Sequence, residues 1–261
     1  MQLSMKGRSA LVTGASKGLG RAIAAAFASA GANVVLVARS QADLEQAANA
    51  IAAESGVKAV AVAGDVSTAE GCNAAFAAAV QALGQIDVLV NNAGSSARGQ
   101  FESISDELWQ ADLDLKLFAA IRLARLSLPG MKERKFGRII NILNTGAKAP
   151  PAEGAPTAVS RAAGLALTKV IANEGAPYNV LVNGLMVGKI RSDQWVRRHA
   201  ALDGEESLED YYARVGQDMP MGRYGTAEEF AAVACFLASD NGGSYVNGTA
   251  INVDGGLCPV V

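Results

Sequence analysis

The chain has 261 residues, half of them hydrophobic, and 23 basic against 25 acidic side chains give a net charge of −2. No basic block or stripe stands out, which argues against a nucleic-acid partner, because phosphate binding needs concentrated Lys and Arg. Cys72, Cys235 and Cys258 fit no zinc spacing and His199 is the single histidine, so neither a metal site nor a Ser–His–Asp triad has its parts.

The N-terminal "MQLSMKGRSALVTG" lacks the apolar core and cleavage site of a signal peptide, and no apolar run is long enough to span a bilayer. A cytoplasmic protein with no membrane partner is expected. Short apolar runs then alternate with Ala-rich helical patterns. Ser9–Thr13 reads as a strand and Leu19–Ala30 as a helix; Asn33–Ala38 and Gln41–Ser55 repeat the pair. A strand at 57–63 follows, then a helix over 68–83, a strand at Val88–Asn91 and a long helix over 105–128. A strand at 138–143, a helix over 157–174, a strand at 180–185, a helix at Ala227–Ala238 and a strand at Ala250–Val253 complete the chain. Continuously apolar strands such as "VVLVA" are those buried on both faces by crossover helices. The strict alternation therefore predicts one α/β domain over 1–261, a doubly wound parallel sheet with helices on both sides. Residues 188–224 interrupt the alternation and read as a substrate-side insertion or lid.

"VTGASKGLGRAIA" closes the first strand and opens the first helix. Gly14, Gly18 and Gly20 let the backbone turn tightly and approach a pyrophosphate, and the helix N-terminus supplies N–H groups and partial positive charge. With that context on the page, the chain resembles the short-chain dehydrogenase/reductases along nearly its whole length. "TGASKGLG" resembles their cofactor motif, "GDV" at 64–66 the segment whose Asp contacts adenine, "NNAG" at 91–94 the motif closing the fourth strand, and "GRIINI" at 137–142 the fifth strand. "PMGRYGTAEEFAAVACFLASD" and "YVNGTAINVDGG" resemble the family's last helix and strand.

The resemblance implies a seven-stranded Rossmann fold, a homodimer or homotetramer, and a dinucleotide held by Gly14, Ser16, Lys17, Gly18, Leu19 and Gly20. Arg39, Ser40, Asp65, Val66, Asn92, Ala93, Gly94, Arg161, Gly188 and Ser192 complete the implied cofactor set. NAD-selective members carry an Asp at the end of the second strand; this chain has Ala38, Arg39 and Ser40 there, with Lys17 nearby. Two cations suit a 2′-phosphate, so NADP(H) is expected rather than NAD(H).

The family's proton chemistry uses a Tyr, a Lys four residues later, a Ser and an Asn. Matched by its flanks, "APTAVSRAAG" puts Thr157 in the Tyr place and Arg161 in the Lys place. The Ser place falls on Asn144, and "WQADLDLKLF" puts Asp114 in the Asn place. Tyr178, Tyr211, Tyr212, Tyr224 and Tyr245 are not followed by a cation at the required spacing. A Thr hydroxyl is a far weaker acid than a tuned Tyr and is shorter by a ring. Asn144 keeps the ability to orient a carbonyl, and Arg161 keeps a charge for the ribose but is not a tunable proton relay. Asp114 and Arg161 are charge-complementary: either they form an ion pair, or Asp114 points to solvent and Arg161 holds the ribose. Lys148, Tyr211 and Tyr212 lead the list of replacement acids, ahead of Thr145, Ser160, Lys189 and Asp193. Three readings stay open: an oxidoreductase with a non-standard proton donor, a dinucleotide-binding pseudoenzyme, and a lyase or isomerase reusing the pocket. Trp195, Val196 and Met219 suggest a small apolar substrate.

Overall fold

The short apolar runs become strands, buried on both faces in the middle of the sheet and half-buried at its two edges. In a computed structural model of the chain they form one parallel seven-stranded sheet, ordered β3-β2-β1-β4-β5-β6-β7. The strands are β1 (Ser9–Thr13), β2 (Asn33–Ala38), β3 (Ala59–Ala63), β4 (Val88–Asn91), β5 (Gly137–Asn144), β6 (Val180–Val187) and β7 (Ala250–Val253). The structure describes residues 2–202 and 206–261; residues 203–205, within the expected lid, and the side chains of Asp193, Gln194 and Arg197 lie outside the description. Among the described residues no helix is long and apolar enough to cross a membrane.

Alternation along each strand divides the core in two. Val34 and Leu36 of β2 join the layer under α1 (Gly18–Ser29), α2 (Gln41–Ser55) and α9 (Ala227–Ala238), with Phe27, Leu44 and Phe230. Val35 and Val37 join the layer under α3 (Ala69–Leu83), α5 (Ala119–Glu133) and α6 (Thr157–Gly175), with Cys72, Leu123 and Ile171. Each layer removes large apolar side chains from water, the main favourable contribution to folding.

The sheet reverses its winding between β1 and β4, and their C-terminal ends open into a crevice. Thr13 stitches that point: its hydroxyl donates to the Val90 carbonyl at 3.2 Å and accepts from the backbone N–H of Asn92 and of Ala93, each at 3.0 Å. Asn92 Nδ2 donates to the carbonyls of Thr13 and Gly14 at 2.9 and 3.1 Å, which fixes the glycine-rich turn. Further along, Asn91 Nδ2 donates to Asn141 Oδ1 at 2.8 Å and Asn141 Nδ2 donates to Thr168 Oγ1 at 2.9 Å. This buried polar ladder sets α6 against β4 and β5.

The sequence-predicted helix over 105–128 is three segments. α4 (Asp106–Leu113) runs into a π-helical stretch, Asp114–Phe118, and then into α5, which continues past Pro129 to Glu133. The wider π turn changes the face presented by each following residue. The segment 188–224 contains α7 (Asp193–Ala200) and α8 (Leu208–Gly216). Tyr211, Tyr212 and Tyr224 form a buried cluster within it, and Trp195 packs edge-on against Tyr224 with ring centroids 5.1 Å apart.

Candidate active site

Two connected cavities lie at the C-terminal ends of the strands. The larger, about 1120 Å³, follows the β1–β4 crevice. Gly14, Ser16, Lys17, Gly18 and Leu19 of the glycine-rich turn line it, and Arg39 and Ser40 face it from the end of β2. Asp65 and Val66 flank it after β3, Asn92, Ala93 and Gly94 after β4, and Ser192 reaches it from the lid. Gly20 does not line it but packs behind the turn: a Cβ there would collide with the Gly14 carbonyl and stand 2.6 Å from Asn92 Nδ2. No side chain caps the first turn of α1, so the helix N-terminus faces the cavity with its backbone donors. These features fit a dinucleotide diphosphate. Ser40 caps α2 by accepting from Asp43 N–H at 3.4 Å. Asp43 also lines this end of the cavity, an acid that the sequence reading did not weigh against Lys17 and Arg39. Asp65 sits below its usual carboxylate range, because Ser67 hydrogen-bonds to it and Arg39 lies near.

The second cavity, about 520 Å³, continues toward the lid. Asn144 at the end of β5, Thr157 and Arg161 on α6, Gly188 after β6 and Trp195 of α7 all line it. Three of the four expected proton-chemistry positions therefore meet here. Gly164 lets α6 approach, since a Cβ there would stand 2.7 Å from Leu143 Cδ2. Asn144 Oδ1 is buried without a hydrogen-bond partner among the described residues, an acceptor held in reserve at the cavity wall.

Asp114 is the exception. It lies on the dinucleotide side, accepts from Gln110 Nε2 at 2.9 Å and pairs with Arg122 at 3.3 Å. Among the described residues Asp114 makes no ion pair with Arg161: it is held by Gln110 and Arg122 on the dinucleotide side. The π-helical stretch also carries Lys116, which the sequence reading passed over. Its Nζ donates to Asp112 and, at 2.6 Å, to Thr157 Oγ1. Asp112 also accepts from Ser160 Oγ at 2.6 Å, and both members of the Lys116–Asp112 pair are almost wholly buried. Two signals pointed there: the Asp112/Lys116 spacing of four, which stacks them on one helix face, and a lysine inside the apolar run "LDLKLF".

Burial drives the Lys116 ammonium down from its usual value to about 8; Asp112 pulls the other way, and the nearby Arg161 adds to the depression. Burial likewise lowers Arg161, to about 10, against the attraction of Asp112. Its guanidinium rests against Gly94, where a Cβ would stand 2.5 Å from Nη2. Thr157 is fully engaged: its hydroxyl donates to the Ala97 carbonyl at 2.7 Å and accepts from Ala97 N–H at 3.0 Å as well as from Lys116.

Most of the other expected acids are elsewhere or already bonded. Lys148 Nζ donates to the Ala250 carbonyl and Asn252 Oδ1, at 2.9 and 2.8 Å, away from the cavity. Tyr211 and Tyr212 are buried within the 188–224 segment, and burial raises the Tyr212 hydroxyl. Thr145 and Lys189 line the cavity, Ser160 serves Asp112, and the Asp193 side chain lies outside the description. Of the residues behind the apolar-substrate expectation, Trp195 alone lines the cavity: Met219 is buried in the body and Val196 points to solvent.

The fold and cleft define a dinucleotide-binding protein of Rossmann type. A family model described as enoyl-(acyl carrier protein) reductase matches residues 14–258. The 3-oxoacyl-acyl-carrier-protein reductase of Aquifex aeolicus is 34% identical over 257 residues, covering 98% of this chain and all of the relative. The crystal structure of L-sorbose reductase from Gluconobacter frateurii, complexed with NADPH and L-sorbose, superposes with a TM-score of 0.95 at 34% identity, covering both chains completely. A structure of an actinorhodin polyketide ketoreductase variant with NADPH gives 0.88 at 33% identity, over 97% of each chain. The chain belongs to the short-chain dehydrogenase/reductase family of oxidoreductases.

Proposed function

We propose that the protein is an NADP(H)-dependent carbonyl–alcohol oxidoreductase in which Lys116 takes over the work of the missing tyrosine. The observation that carries this reading is the Lys116 ammonium, buried beside Thr157 at the cavity wall with its proton affinity lowered to about 8. The dinucleotide supplies hydride chemistry when bound. Gly14, Ser16 and Gly18 present backbone to its diphosphate, Lys17, Arg39 and Ser40 meet the 2′-phosphate, and Ser192 stands over the cavity from the lid. Asn144 offers its side-chain amide to the substrate carbonyl. Asp112 and Thr157 take two of the three N–H groups of Lys116, which aims the ammonium and leaves the third for the cavity. The proton passes from Nζ to the substrate oxygen, and the neutral amine is reprotonated from solvent through the cavity mouth. A lysine near pH 8 is far better suited to this than a threonine hydroxyl.

NADPH consumption tests the reading. Mixed with a panel of small ketones and aldehydes, the protein is expected to oxidise NADPH in step with carbonyl loss. NADPH binding without consumption by any member would favour the pseudoenzyme reading. Replacing Arg39 with Asp, which sets a negative charge against the 2′-phosphate, is expected to lower kcat/KM for NADPH at least tenfold relative to NADH. An unchanged ratio would remove Arg39 from the recognition of that phosphate.

A further inference from the structure

The smaller cavity carries an unusual charge balance. Arg161 and Lys189 line it, Arg98 and Arg198 stand where it joins the dinucleotide cleft, and no described acidic residue lines it. Lys116 is neutralised by Asp112, but the other four cations have no carboxylate within salt-bridge reach among the described residues. Arg98 has only the Glu153 carbonyl at 3.4 Å. Lys189 lies 5.9 Å above the Tyr224 ring and Arg198 lies 4.8 Å above the Trp195 ring. Arg161 is half-buried with no hydrogen bond to the protein among the described residues, close enough to Lys116 to repel it.

Gathering like charges around one cavity is unfavourable unless an anion enters it, and a guanidinium that lines the cavity with no protein acceptor has its N–H groups free for one. A protein of net charge −2 that concentrates cations at one opening also steers anions toward it. We infer that the substrate is a small carbonyl compound bearing an oxyanion, a carboxylate or a phosphate, which Arg161 and Lys189 bind while Arg98 and Arg198 draw it in. The planar guanidinium fork matches either group through paired charge-assisted hydrogen bonds. The cavity of about 520 Å³ limits the molecule to a few carbons beyond its charged group. This names the substrate class of the reductase proposed above and rests on that reading. It replaces the apolar substrate that the lid residues suggested.

The test pairs each anion with its neutral counterpart under saturating NADPH: 4-oxopentanoate with its methyl ester, and dihydroxyacetone phosphate with dihydroxyacetone. The charged member is expected to have at least a tenfold higher kcat/KM in one of the pairs, and which pair shows it separates carboxylate from phosphate. Lys189→Met and Arg161→Gln should each bring that ratio toward one. Succinate and dimethyl succinate, neither reducible, provide a binding readout through tryptophan fluorescence in the NADP⁺-loaded protein. Succinate or inorganic phosphate quenching Trp195 with no carbonyl reduced would uphold the oxyanion site and sink the reductase reading. Neutral and charged members reduced equally well would overturn the oxyanion site and leave the reductase standing. If Arg161→Gln raises the Kd for NADPH and slows acid and ester alike, Arg161 serves the ribose and its assignment to the oxyanion fails.

Discussion

Lys116→Met is expected to destabilise the protein by about 3–5 kcal/mol, since it leaves the Asp112 carboxylate buried without its counter-ion. Asp112 keeps Ser160 as a donor, but one neutral hydrogen bond does not replace an ammonium. The double variant Asp112→Asn/Lys116→Met removes both charges and is expected to recover most of the loss, because a buried ion pair replaced by uncharged groups is often close to neutral. Urea unfolding of the two singles and the double provides the cycle. Additive single effects would mean that the two groups do not act as a pair. pH supplies a second sign. The folded Lys116 titrates near 8 and the unfolded one near 10.5, so the unfolded chain holds more protons between those values. This group's contribution therefore raises stability as pH climbs from 8 to 10.5 and is absent below 8. The variant should lose that rise, and any refolded fraction should reduce carbonyls on the order of 10²–10⁴ times more slowly.

Gly20→Ala is expected to weaken NADPH binding tenfold to a hundredfold. A methyl group there meets the Gly14 carbonyl, Asn92 Nδ2 and the Ala15 backbone together. Two of these obstacles are backbone, and the third is the side chain that holds the glycine-rich turn in place. Relief of the clash must move the turn away from the diphosphate, with about 1–3 kcal/mol of strain. Gly18→Ala gives a contrast: a Cβ there has no heavy atom within 4 Å, but the residue has a φ of +57°, so its cost is backbone strain alone. Titration of NADPH by its fluorescence compares the two. Equal and small losses would show that Gly20 does not set the turn.

The parts of the fold written in local pattern were legible in the chain. β1, β2, β4 and β7 match the apolar runs residue for residue, since buried parallel strands leave little room for polar residues. The glycine-rich turn was legible because strand, glycines and helix follow in an order with one physical use. The pairing of Asp114 was not legible because its partner Arg122 lies eight residues on, beyond a π-helical stretch that leaves no clear trace in a 3.6-residue periodicity. Lys116 was overlooked because a lone lysine is usually solvated, and its partner Thr157, like the Ser160 that bonds Asp112, lies on a distant helix. Lys148 is close to Asn144 in sequence, but a 3₁₀ turn at Thr145–Ala147 carries it toward β7. The charge of the smaller cavity was hidden for the same reason: Arg98, Arg161 and the pair Lys189 and Arg198 come from three separate segments, and no short window of sequence contains them together.

The structure also explains why restoring a tyrosine at position 157 alone is a poor repair. The threonine hydroxyl is bonded to both backbone groups of Ala97, and Lys116 fills the space beside it.

The most direct measurement of the central claim is the pH dependence of kcat for NADPH-driven carbonyl reduction, in the wild type and in Lys116→Arg. The reacting form holds its proton, so kcat is predicted to be level at low pH and to fall tenfold per unit above about 8. The arginine variant, which stays charged, is predicted to lose most of the rate and to show no fall near 8. A wild-type rate that is flat or rising through pH 8, or an arginine variant with an unchanged profile, would contradict the assignment of the proton to Lys116.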